Sequence, residues 1–202
     1  MPPLRRFREQ DVINKAMHRF WRHGAEATSI QDLVAATGVN RASLYATWGD
    51  KRGLFLAALV AYDRDVRKAG MFQAAASLPP LGAIRAILEG FVAQARDPDG
   101  APGCFLTNTA LELAAHDAEV RALVAEGQRQ AEALFAGLLE SARDKGELAA
   151  GLDPKTAARR LLSTMLGLAV LVRSQPDPAL LQAIVDDALA TLAPSHPAGD
   201  PG

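Results

Sequence analysis

At 202 residues, 49% of them hydrophobic but only 5% aromatic, the chain must build its interior mainly from Ala, Leu and Val, a mixture that favours helices over strands. One cysteine, Cys104, excludes an intramolecular disulfide and suits a reducing compartment. The formal charge of −1 hides an asymmetry: residues 1–55 hold nine Lys and Arg against five Asp and Glu (+4), the remainder thirteen against eighteen (−5), the pattern of a nucleic-acid-binding head on an acidic body.

No alternating apolar/polar stretch is long enough for a strand, so an all-α fold of about nine helices is expected. The basic start MPPLRRFREQ has no apolar run behind it and does not read as a secretory signal. The longest apolar stretch, near Met165–Val172, falls far short of the roughly 20 residues that span a bilayer. A soluble, cytoplasmic protein without a membrane partner is expected.

In chain order, a first helix is expected over Phe7–His23, with Val12, Ala16 and Phe20 as its apolar stripe and Gly24 as its stop. Thr28-Ser29 offers an N-cap, with Asp32 completing a variant capping box, for a short helix Ile30–Ala36 ending at Thr37-Gly38. Asn40 caps a third helix through Ala42–Thr47. Asp50 caps a fourth, running from Lys51 to about Ala76 before Pro79-Pro80. Further helices are expected over Leu81–Arg96, then Cys104–Ala115 after the loop 97–103, then a long one from Asp117 to Lys145, of about 28 residues and ~42 Å. Asp153-Pro154 starts another that reaches Ser174, and a last one ends near Leu192. The domain division expected is 1–50 for the head, 51–193 for the body and 194–202 for a disordered tail.

Two short helices joined by a tight turn at Gly38 make a helix-turn-helix, packed through Leu33, Val34 and Leu44. Its second helix has the size and exposure to enter the major groove of B-DNA. The stretch Thr28–Phe55 resembles the DNA-binding signature of the TetR family at Thr28, Ile30, Leu33, Ala35, Gly38, Val39, Leu44, Tyr45, Trp48, Lys51 and Phe55, and Ala16, Phe20 and Gly24 match upstream. Trp48 stands where the family usually has Phe, and Ala25 where an aromatic is common; Trp48 reads as core. The resemblance implies that Thr28, Tyr45 and Lys51 contact phosphates, while Arg41, Ala42 and Ser43 face base edges. Arg41 is the natural direct reader, because a guanidinium can bond O6 and N7 of guanine together.

The resemblance further implies a homodimer built from the last two helices. Leu161, Leu162, Met165 and Leu166 form one apolar stripe there, and Leu181, Ile184, Val185 and Ala188 another; a purely internal core would carry the same pattern. It also implies a pocket for a small-molecule effector among the central helices, for which Phe91, Cys104, Thr107, Asn108, Leu111 and Glu112 are the candidate lining residues. Gly103–Val124 resembles a body subtype recurrent among TetR-like regulators. Cys104, at a helix N-terminus, is a candidate redox or electrophile sensor, set against the reading of a small buried hydrophobe.

The leading reading is therefore a dimeric repressor on a palindromic operator in double-stranded DNA, released by a small molecule. The alternatives for its signal are Cys104 chemistry or no effector at all. His18, His23, His116 and His196 are scattered, so no metal site is expected. No cofactor is expected either, and no phosphate loop or nucleophile elbow suggests an enzyme.

Overall fold

The computed structural model describes residues 8–97 and 100–194. Phe7, Pro98, Asp99 and the expected tail from Ser195 onward lie outside the described residues. Everything regular among the described residues is helical: α1 (Glu9–His23), α2 (Ile30–Thr37), α3 (Arg41–Trp48), α4 (Lys51–Tyr62), a π-helical segment (Asp63–Lys68), α5 (Ala69–Ser77), α6 (Pro80–Ala95), α7 (Phe105–Leu113), α8 (Ala118–Asp144), α9 (Pro154–Ser174) and α10 (Pro178–Ala190). No helix among these residues is long and apolar enough to cross a membrane.

The local signals explain most boundaries. Ser29 and Asp32 close a full capping box at the start of α2, each bonding the other's backbone N–H. Asn40 accepts from the Ser43 N–H, Asp50 from Gly53 and Asp153 from Thr156, so four helix starts are satisfied by the short polar residues that precede them. Pro80, Pro154 and Pro178 each sit in a first helical turn, where no N–H is needed.

The fourth helix departs from the plain α-helix its sequence suggests. Lys51–Tyr62, Asp63–Lys68 and Ala69–Ser77 follow without a break, but the middle segment is π-helical. Within it Asp63 receives Arg67 Nε at 2.6 Å and Lys68 Nζ at 2.9 Å.

The chain divides into two compact units. One contains the chain through Ala69 together with Cys104–Ala125; the other contains Gly70–Gly103 and Glu126 onward. The head therefore shares its unit with α4 and with α7. Its core holds Val12, Ala16, Phe20, Leu33, Leu44, Leu54 and Leu59. Aromatic rings run through it edge to face: Phe20 to Phe55 at 5.3 Å, Phe55 to Phe105 at 5.8 Å, Phe105 to Tyr62 at 5.6 Å, and Tyr62 to Trp21 at 4.8 Å. Phe105 brings α7 into this cluster.

The second unit is a helical bundle of α6, the remainder of α8, α9 and α10. Its core includes Ile84, Leu88, Phe135, Leu139, Leu168 and Leu181, each essentially inaccessible to solvent.

Candidate nucleic-acid interface

The helix-turn-helix is built from the turn outward. Gly38 adopts φ +74° and ψ 11°, and its N–H returns to the Val34 carbonyl, closing α2 in the left-handed conformation that glycine tolerates. Thr37 reinforces the turn, donating its hydroxyl to Leu33 at 2.6 Å and accepting from the Val39 N–H. Leu33 and Leu44 are buried between α2 and α3, which leaves the opposite face of α3 in solvent.

That face carries Arg41 and Ala42, both exposed, with Ser43 and Tyr45 half-buried beside them. The Arg41 guanidinium lies over the Tyr45 ring, 5.0 Å from its centroid, close enough for a cation–π attraction. The first turn of α3 thus presents a positive edge backed by an aromatic ring. Trp48 is half-buried at the end of the same helix.

Two of the residues expected to touch phosphate are engaged within the protein. The Thr28 side chain is fully buried, and its hydroxyl donates to the Gly24 carbonyl at 2.6 Å. Lys51 Nζ donates to the carbonyls of Ala25 at 2.8 Å and Thr28 at 2.9 Å. Both hold the α1–α2 loop, which sets where α2 begins. Arg19 adds an ion pair to Asp32 at 2.9 Å, joining α1 to α2. Asp32 is held below the usual carboxylate range, first by the Ser29 N–H and hydroxyl and then by Arg19.

The candidate effector residues fall in both units. In the first unit, Cys104 is buried at the N-cap of α7, beside the buried Tyr62 hydroxyl. Burial, then Cys104, pushes the Tyr62 pKa upward, so the phenol stays neutral. Thr107 is buried, Asn108 half-buried, and Leu111 is 74% exposed. The Glu112 carboxylate accepts from the backbone N–H groups of Ala25 at 3.1 Å and Glu26 at 2.7 Å. Phe91 lies in the second unit, packed on that unit's core.

The two apolar stripes expected at a dimer interface each split into two faces. Leu161, Met165, Leu181 and Val185 are buried in the core of their own unit. Leu162, Leu166, Ile184 and Ala188 are half-buried, and Val170 is exposed. An open groove between α9 and α10 is lined by Arg160, Thr164, Ile184, Asp187 and Ala188.

Sequence reasoning missed Glu112 as part of the head, along with Arg52. The Arg52 guanidinium bonds Asp117 at 2.9 and 3.0 Å and Glu119 at 2.8 Å. No local pattern announces partners more than sixty residues apart.

Comparison with known proteins matches residues 12–58 to the family described as bacterial regulatory proteins, tetR family. Residues 80–188 match the tetracyclin repressor-like C-terminal domain. A HTH-type transcriptional regulator of Bacillus subtilis, YezE, is 37% identical over 183 residues, covering 90% of this chain and 94% of the relative. The HTH-type transcriptional repressor ComR of Escherichia coli is 30% identical over 171 residues, 83% of this chain and 80% of the relative. Among solved structures, a cysteine mutant of the TetR family transcriptional regulator CifR, complexed with 26-bp double-strand operator DNA, superposes with a TM-score of 0.82 at 25% identity, covering 94% of this chain and 99% of that one.

Proposed function

The chain belongs to the TetR family of DNA-binding transcriptional regulators, and we propose that it acts as a homodimeric repressor that leaves a palindromic operator when a small molecule binds its C-terminal domain. The observation that carries this reading is the first turn of α3, where Arg41 stands exposed over Tyr45 on a helix fixed by the Gly38 turn. One such helix reads few bases, and two copies related by a two-fold axis read two half-sites about 34 Å apart. Arg41 reads a base edge, Ala42 and Ser43 border it, and Tyr45 faces the sugar–phosphate backbone.

Supporting the dimer are the half-buried Leu162, Leu166, Ile184 and Ala188 on neighbouring helices, with Arg160 and Asp187 lining the same groove. Charges of both signs suit a self-complementary contact. The effector acts by linkage: a molecule that prefers a conformation mismatched to the half-site spacing weakens DNA binding by the same factor that DNA weakens its own. Thr107 and Asn108, both on α7, remain the candidates to contact it. As a regulator of chromosomal genes, the protein works in the bacterial cytoplasm.

Mapping the chromosomal sites occupied by the protein, and measuring transcription of the adjacent genes with and without it, tests this reading. Repression requires that those transcripts rise when the gene is deleted. A fall makes the protein an activator, and an absence of enriched sites ends the operator-binding reading.

A further inference from the structure

The loop from Gly24 to Ser29 joins α1 to α2, its ends bonded to the helices from the Gly24 N–H to the Phe20 carbonyl and from the Leu33 N–H to the Ser29 carbonyl. Its polar groups are also held from two sides. From one side the Glu112 carboxylate, on α7, accepts both the Ala25 and Glu26 N–H groups. Successive N–H groups pointing the same way form an anion-binding concavity, and here the anion is a side chain 87 and 86 residues along the chain. From the other side the Lys51 ammonium donates to the Ala25 and Thr28 carbonyls. Ala25 is gripped at both ends of its backbone, by a negative and a positive charge. The two carboxylate oxygens also come to 3.0 Å from where a β-carbon on Gly24 would stand.

α7 and the start of α8 meet the head at three places. Phe105 at the start of α7 packs on Phe55 and Tyr62. Glu112 near its end holds the loop. Just beyond, Asp117 and Glu119 bind Arg52 in the first turn of α4. Yet this segment lies within residues 80–188, which match the C-terminal domain. A piece of effector-domain sequence is built into the DNA-binding unit.

We propose that Glu112 is a positioning residue for operator binding. Its carboxylate fixes the α1–α2 loop, and through the loop the start of α2 and the outward aim of α3. The inference rests on the operator-binding reading above. It assigns to α7 the role of setting the head, so a displacement of α7 pulls Ala25 and Glu26 with it.

The test uses the full-length chain and a duplex enriched from a random-sequence pool by the unsubstituted protein. In Glu112→Ala the Ala25 and Glu26 amides should exchange with solvent faster, and affinity for that duplex should fall about tenfold. The slope of affinity against salt should stay the same, because no phosphate contact is removed. Glu112→Gln, whose amide oxygen serves only one of the two N–H groups, should lie between them, and it decides the matter if the alanine variant does not fold. Unchanged affinity in the variants despite faster exchange at Ala25 and Glu26 overturns the proposal. Failure of the unsubstituted chain to enrich any duplex is a different result, and overturns operator binding itself.

Discussion

The Lys51 ammonium donates to the Thr28 carbonyl at 2.9 Å, tying the first turn of α4 to the residue that precedes the α2 cap. Hydrogen bonds from a charged donor contribute about 1.5–3 kcal/mol each. Lys51→Met removes this one and its companion to Ala25 while keeping most of the side-chain length. Its thermal unfolding midpoint should drop by several degrees, at roughly 2–4 °C per kcal/mol for a chain of this size. A salt slope lowered by about one in the same variant would report a phosphate under the ammonium's third donor.

Arg41 and Tyr45 should act as a pair at the DNA surface. Arg41→Ala is expected to relax the preference for one base pair, by about 1–3 kcal/mol, with little loss on other sequences. Tyr45→Phe keeps the ring that backs the guanidinium, whereas Tyr45→Leu removes it. Only the leucine variant should blur discrimination at the base read by Arg41. Selection of bound sequences from a random pool, run on each variant, reads out both expectations.

Gly53 marks where α4 passes against the end of α3. A β-carbon there would collide with the Trp48 carbonyl oxygen, which is backbone and cannot rotate away. The Gly53 N–H is also the one capped by Asp50, at 2.7 Å. Gly53→Ala should therefore cost about 1–3 kcal/mol through overpacking, although alanine is ordinarily the better helix former. A denaturation curve showing the variant as stable as the parent would contradict this packing.

Acid should weaken the first unit through Asp117. Its carboxylate is held below the usual range first by the Val120 N–H, with Arg52 and the Glu119 N–H adding to the effect. A depressed folded-state pKa contributes stability that is complete above the unfolded value, about 4, and is lost as pH falls through the folded value. Asp117→Asn retains an oxygen acceptor but does not titrate. Its stability should fall less steeply than the parent's below about pH 4, as followed by helical signal against denaturant at several pH values.

Legibility from sequence follows the range of the interaction. Ser29, Asp32, Gly38, Asn40, Asp50 and Asp153 act within four residues of themselves, and each helix start or turn they govern stands where its signal predicts. The π-helical turns at Asp63–Lys68 have no Pro or Gly to announce them, only charges that any exposed helix could carry. Periodicity marks Leu161, Met165, Leu181 and Val185 as apolar but not what covers them, and within this chain their own unit does. Glu112 on a mixed apolar and polar helix reads like a solvent-facing or ligand-facing carboxylate, because its partners lie 86 and 87 residues away. The Thr28 hydroxyl and the Lys51 ammonium likewise gain their loop-holding role only when α1, α2 and α4 are brought together.

Whether two chains read a two-fold symmetric operator through α3 is decided by the mass and symmetry of the complex with an enriched duplex. Sedimentation or native mass measurement should give two chains per duplex. The enriched sequence should contain inverted half-sites about one helical turn apart, and Arg41→Ala should lose preference at the same position in both halves. A complex with one chain per duplex, or an enriched sequence without inverted symmetry, would rule out a dimer on a palindromic operator.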